Sequence, residues 1–344
     1  MVAIADRRAA LAANRVTGMR RTTARIVLAT ATLLIVGAAL LAGPALTLGD
    51  QDHVAVVSAM RDGSGFYGLI AGIVPAGAFA GRLVPLPTLA VIESHVDVFA
   101  LTILLCAVLA SILLVGWNRL GELCTHLPAR LTGALLLFGG STLGALLTIV
   151  EPHAGWTALL IAWSLLLRRR GRWVEAAALG AAATTIDPAA LPFVIVMAAA
   201  AMREGEARDS GGWLLAAVLG LGTWIAHRVA LLNLGVVTIG VGAPSAPIDV
   251  AAAAFLPGLP AWLSAASWMF ALLGWFSVRN PLAVRVAVTT TVAMLLALLP
   301  GMQSAATLTV VLLPLGLMFA VDASASLIRQ ASSRRRITVT RVAR

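Results

Sequence analysis

The sequence predicts an all-α, polytopic integral membrane protein of about ten transmembrane helices with a long first extracytoplasmic loop. Three observations carry that expectation. Of 344 residues 60% are hydrophobic and only 12% charged, with a mean hydropathy of +0.95, whereas soluble domains carry about a quarter charged residues. Apolar stretches recur at the length needed to cross a bilayer, about 20 residues at 1.5 Å each for a core of roughly 30 Å. The basic residues are also distributed one-sidedly between the loops that join those stretches.

In chain order the expected spans lie near 26–48, 97–117, 131–150, 154–167, 173–187, 189–202, 211–232, 259–278, 282–300 and 304–321. The fourth to sixth are too short for an upright crossing, so they thin the membrane or enter it partway. A basic tail, 1–25, precedes the membrane domain, 26–321, which includes the outer loop 49–96; a second basic tail, 322–344, follows it. The first apolar run is preceded by about 25 residues, is long for a signal sequence, and is followed by nine more, which favours an uncleaved anchor.

All 25 basic residues are arginine, giving a formal net charge of +10. With both termini cytoplasmic, 22 of the 25 fall in inside segments and only Arg61, Arg82 and Arg228 lie on or near the outer side, the asymmetry that orients membrane proteins. The charge thus reads as topology and as attraction to anionic membrane lipid, not as a nucleic-acid footprint. The expected location is a bacterial cell (inner) membrane. Cys106 falls in a span and Cys124 in an inside loop, so no outer disulfide is expected. Trp117, Trp156, Trp173, Trp213, Trp262 and Trp275 fall at span ends, as interfacial anchors do.

The outer loops hold the residues that bear chemistry. Within 49–96, Val54–Met60 and Phe66–Val74 suit short helices lying at the interface. The loop opens with Asp50, Gln51, Asp52 and His53 and later offers Arg61, Asp62, Tyr67, Arg82, Glu93, His95 and Asp97. Glu151 and His153 form a short outer turn fixed by Pro152, Asp187 sits between the fifth and sixth spans, and Gln303 lies in the last outer turn. Carboxylates just outside a membrane suit a divalent cation or general-base work; the Asp50-x-Asp52 pair equally suits a helix end reaching water. Glu93-x-His95-x-Asp97 would align on a strand, but a helix starts there, so capping and solvation are the expected roles. His227 and Arg228 sit inside an apolar run, where an ionisable group faces a partner or a cavity, or snorkels to the headgroups. No P-loop, Gly-x-Gly-x-x-Gly, His-Glu-x-x-His or Gly-x-Ser-x-Gly pattern occurs, which removes support for soluble nucleotide, dinucleotide and hydrolase chemistry.

A first span followed by an outer loop that begins with Asp and continues SAMRDGSGFYGLIAGIVPAGAFAGRLVPLPTLA resembles polytopic glycosyltransferases of the GT-C type. The later stretch EPHAGWTALLIAWSLLLRRRGRWVEAAALGAAATTIDPAALPFVIVMA is similar to the short-helix region of such proteins. The resemblance covers most of 26–321 as a layout. It implies a membrane enzyme that passes a sugar from a polyprenyl-phosphate carrier to an envelope acceptor on the outer face. It makes Asp50 or Asp52 the base, places Tyr67 in the GSGFYG stretch and Arg82 at the carrier phosphate, and sets Asp187 where relatives carry an acid preceded by Arg, here Ile186. His53, Arg61, Glu151, His153, His227, Arg228 and Gln303 are, with Asp187, the further candidate substrate contacts among the outer polar residues. The competing expectations are a non-catalytic partner subunit of a membrane-protein complex and a lipid or solute transporter, which would place partnered polar groups near mid-bilayer.

Overall fold

The structure, a computed structural model, describes residues 19–40, 51–74, 83–124, 126–169, 171–236, 261–297, 299 and 302–332. Among the described residues the chain forms thirteen α-helices and no strand; a single isolated bridge joins Arg169 and Arg172. α1 is Arg21–Leu40. The long loop that follows supplies three short helices, α2 (Gln51–Arg61), α3 (Phe66–Ile73) and α4 (Pro87–His95). Two of them coincide with the interfacial helices expected there.

α5 (Val98–Leu123) is capped by Asp97, whose carboxylate accepts the Phe99 N–H at 2.9 Å, so the expected capping role holds for that residue. α6 (Leu127–Val150) and α7 (Pro152–Leu167) both open with proline in the first turn, where its missing N–H has no helical partner to lose. α8 (Val174–Ile186) ends at Asp187, which caps a 3-10 turn, Pro188–Ala190, by accepting the Ala189 N–H at 2.8 Å. α9 (Leu191–Arg203), α10 (Ala207–Asn233), α11 (Ala261–Ser277), α12 (Pro281–Ala297) and α13 (Leu315–Ser332) complete the set.

Among the described residues three helices, α5, α6 and α10, are long and apolar enough to cross a membrane, with 26, 24 and 27 residues. Their outward faces are apolar, with Phe99, Leu135, Ile149 and Val218 exposed, which is the surface a lipid environment requires. The remaining apolar helices, α7, α8, α9, α11 and α12, are 13 to 17 residues long.

The last expected span, 304–321, takes a different form. Residues 303–307 form a 3-10 helix, turns continue to 314, and α-helix begins only at Leu315, running on to Ser332 inside the stretch expected as a tail. Pro314 lacks the N–H an α-helix would direct to residue 310, and bonds such as Leu308 N–H to Ala305 and Val310 N–H to Thr307 replace the α pattern. This irregular backbone is nevertheless buried, Ala305 to Leu313 without a break, the condition under which non-helical chain is tolerated at membrane depth.

One core runs through α5 to α12 and this irregular segment, built from Leu159, Leu165, Phe193, Val286 and Val311 among others. α11 and α13, which share that core through Trp268, Trp275 and Leu315, also hold α1 against the bundle around Ala24, Leu273 and Leu327. Small residues set the approach: a Cβ on Gly274 would lie 1.8 Å from the Gly316 carbonyl oxygen. In lipid, where apolar burial gives little drive between helices, such close contact supplies the attraction. Two of the expected interfacial tryptophans are instead fully buried. Trp213 donates to Asp209 at 2.7 Å and Trp275 to the Leu312 carbonyl at 3.1 Å, because the indole N–H needs an acceptor once enclosed.

Candidate functional site

α5, α7 and α10 fix two ends of the bundle. At one end the helices α2, α3 and α4 form a cap with its own apolar core of Val56, Val57, Phe66, Ile70, Val84 and Ala90, completed by Leu231 and Val236 at the end of α10. At the other end Arg119 near the end of α5, the arginine-bearing turn after α7 and the acidic α9 to α10 turn converge.

The cap is joined to the bundle through histidine. Pro85 and Pro87 hold residues Val84 and Leu86 extended, so their carbonyls, two positions apart, offer acceptors on one side of the strand-like segment. His153, in the first turn of α7, donates from Nε2 to the Leu86 carbonyl at 3.3 Å. His227, near the end of α10, donates from Nε2 to the Val84 carbonyl at 3.2 Å. A carbonyl only accepts, so Nδ1 of His227 is the acceptor for the Tyr67 hydroxyl, 3.2 Å away on α3. Burial pushes the Tyr67 phenol above its ordinary value, which keeps it a donor.

His53, on α2, is 3% exposed and pairs through Nε2 with the Glu93 carboxylate of α4 at 2.7 Å. Arg61 at the end of α2 donates to the Glu93 carbonyl at 2.8 Å, so one residue of α4 receives both ends of α2. The His53 and His153 rings meet edge to face, centroids 4.9 Å apart. His153 is enclosed, and burial together with the neighbouring His53 lowers its pKa from 6.5 to about 3, against an opposing contribution from the Leu86 hydrogen bond. It is a neutral imidazole at physiological pH.

The structure therefore brings His53, Arg61, Tyr67, His153 and His227 to the cap end. Asp187 reaches the bundle from the α8 to α9 turn, buried, and faces the Ser304 side chain at the start of the irregular segment. Asp52 sits half-buried in the first turn of α2, Glu151 half-buried immediately before α7, and Arg228 half-buried on α10 beside His227. Asp50 and Arg82 lie outside the described residues, as does the side chain of Gln303. For the expected divalent cation, no three His, Cys, Asp or Glu side chains among the described residues converge to hold a metal ion.

Sequence reasoning missed Glu93 as the partner of His53. It also missed a buried charge cluster at the opposite end, where the arginines read only as topology. There Arg168, capping α7, reaches Asp209 in the first turn of α10 and, at 3.1 Å, Glu204 at the end of α9. Arg285 of α12 pairs with the same Glu204, and Arg119 of α5 holds the Leu166 carbonyl at 2.7 Å and that of Arg168. The available signal was Arg285, four residues inside an apolar run, which demands a carboxylate partner. No family model, curated protein or solved structure matches this chain.

Proposed function

We propose that the chain is a polytopic glycosyltransferase of GT-C type, moving a sugar from a polyprenyl-phosphate carrier to an envelope acceptor at the cap end. In this reading about ten spans cross a bacterial inner membrane, the short ones partway, with both termini cytoplasmic and the cap outside. The observation that carries it is the gathering of His53, Arg61, Tyr67, His153 and His227, from elements up to 174 positions apart (53 to 227), at one end of the bundle. Chemistry on a lipid-linked substrate belongs at such a boundary, where the carrier tail stays in hydrocarbon and the headgroup meets polar side chains.

The chemistry follows from residue types. A carboxylate of Asp50 or Asp52 takes the acceptor hydroxyl proton as that oxygen attacks the anomeric carbon, and the bond from that carbon to the carrier oxygen breaks with its electron pair leaving on phosphate. Arg82 and Arg228 supply the cations for that phosphate. Asp52 and Arg228 are sequence neighbours of His53 and His227, so the histidine contacts of the cap position both, which is where positioning lowers a barrier most. The buried non-α segment at 302–314 is the feature that favours a second reading, a lipid or solute transporter, because discontinuous helices line passage sites.

The test is reconstitution in liposomes containing radiolabelled polyprenyl-phosphate sugars. The reading expects label to move to acceptor, and Asp50→Asn with Asp52→Asn to abolish transfer without loss of folded protein. Full activity in the double variant, or movement of the lipid across the bilayer without transfer, overturns it.

A further inference from the structure

We propose that the arginine-rich end of the bundle binds anionic phospholipid headgroups through a ring of outward-facing arginines, Arg172, Arg203, Arg208 and Arg279. The buried charge cluster is what places this ring. Arg168, Glu204, Asp209 and Arg285 come from the ends of α7, α9, α10 and α12, and their ion pairs draw those four ends to one hub. Asp209 and Glu204 are consumed inside it, Asp209 also accepting from Trp213. Glu122 is likewise taken, by Arg119 at 2.8 Å and Arg169 at 3.1 Å.

Each hub acid has an arginine as its sequence neighbour, Arg203 before Glu204 and Arg208 before Asp209. The acids turn inward and these arginines outward, both exposed. Arg172 is exposed on the tight turn between α7 and α8, where Arg169 and Arg172 exchange main-chain hydrogen bonds of 3.1 and 3.0 Å around Gly171, whose φ is 73°. Trp173, the next residue, packs on Gly212 of α10, one turn beyond Arg208, so Arg172 and Arg208 belong to adjoining helix ends. Arg279 is exposed between α11 and α12. Among the described residues none of the four side chains makes an ion pair or hydrogen bond, and the acids nearest in sequence after the hub's Glu204 and Asp209 are Glu175, exposed, and Glu206, which has a partner of its own.

The flanking residues decide the class of ligand. Val174, two positions after Arg172, Met202, immediately before Arg203, and Phe276, three positions before Arg279, are large apolar side chains left 60%, 59% and 43% exposed. Guanidiniums bordered by exposed apolar side chains match a phosphate joined to acyl chains. A soluble phosphate or a nucleic acid has no use for the apolar border. Each arginine near a negatively charged membrane surface strengthens binding about five-fold, an effect screened by salt.

Native mass spectrometry of the detergent-purified chain, titrated with phosphatidylglycerol and with phosphatidylcholine of identical acyl chains, tests this. Phosphatidylglycerol should bind in preference, the preference should fall about five-fold for each of Arg172→Gln, Arg203→Gln, Arg208→Gln and Arg279→Gln, and inorganic phosphate should not displace the lipid. Equal binding of the two lipids by the unaltered chain overturns the proposal whether or not the variants fold. So does a preference kept in the quadruple variant, displacement by inorganic phosphate, or capture of an oligonucleotide in place of lipid.

Discussion

His153 donates from its buried imidazole to the carbonyl of Leu86, 67 positions away, across 3.3 Å. The neutral form of the ring is built into the contact between cap and bundle, and pH dependence follows. With its folded pKa near 3 against 6.5 when freed, His153 binds fewer protons folded than unfolded between those values. Stability therefore rises with pH across that window and is flat above it. Lowering the pH from 6.5 to 5 should cost about 2 kcal/mol, read as a fall in thermal midpoint. His153→Gln should flatten the dependence; an unchanged slope in that variant would show that another group titrates.

Glu93 receives the His53 ring on its carboxylate and the Arg61 guanidinium on its carbonyl. Replacing it with Leu leaves a nearly enclosed imidazole N–H without its charged acceptor, and should destabilise the protein by about 2 kcal/mol. His95→Ala, on the exposed side of the same helix, should stay within about 0.5 kcal/mol. Denaturant titrations of the two variants side by side separate the paired carboxylate from its exposed neighbour.

At the opposite end Asp209 and Arg168 bury both partners, each side chain 2% exposed. Asp209→Asn removes the fully buried partner of Arg168 and leaves that guanidinium with Glu204 alone, with an expected loss of about 3 kcal/mol. Arg208→Gln, one residue earlier and exposed, should leave the thermal midpoint unchanged. Equal midpoints for both variants would contradict the buried pairing.

Neighbouring glycines on α6 give opposite expectations. A Cβ on Gly140 would stand 2.1 Å from the Val311 carbonyl oxygen of the irregular segment, whereas one on Gly139 meets nothing within 4 Å. Gly139→Ala should gain about 0.5 to 1 kcal/mol from helix propensity. Gly140→Ala should lose stability, because the obstructing atom is backbone and cannot swing away. Matching effects at the two sites would mean that the segment does not pack on α6 as described.

Helices were legible where local rules act alone. The apolar runs at 97–117, 131–150 and 211–232 match α5, α6 and α10, and Asp97 caps as its position predicts. The irregular course of 302–314 was not legible, since its composition is as apolar as a helix and the deciding features, Pro314 and the close seat against Gly140, act through tertiary contact. The polar side chains at the cap end were legible as residues but not as pairs. His53 pairs with Glu93 and Tyr67 with His227 through tertiary contact, beside an extended Val84 to Leu86 segment whose carbonyls anchor His227 and His153. Trp213 and Trp275 misled because a tryptophan at a span end has the same sequence signature whether it faces headgroups or another helix.

The glycosyltransferase proposal requires the cap end to receive a polyprenyl-phosphate headgroup. A structure of the chain in a lipid nanodisc saturated with undecaprenyl phosphate tests it most directly. Phosphate density is expected at the cap end, within reach of Arg228 and of the Asp52 end of α2, with the tail leaving between helices. A cap end that stays closed and empty at saturating lipid would contradict it.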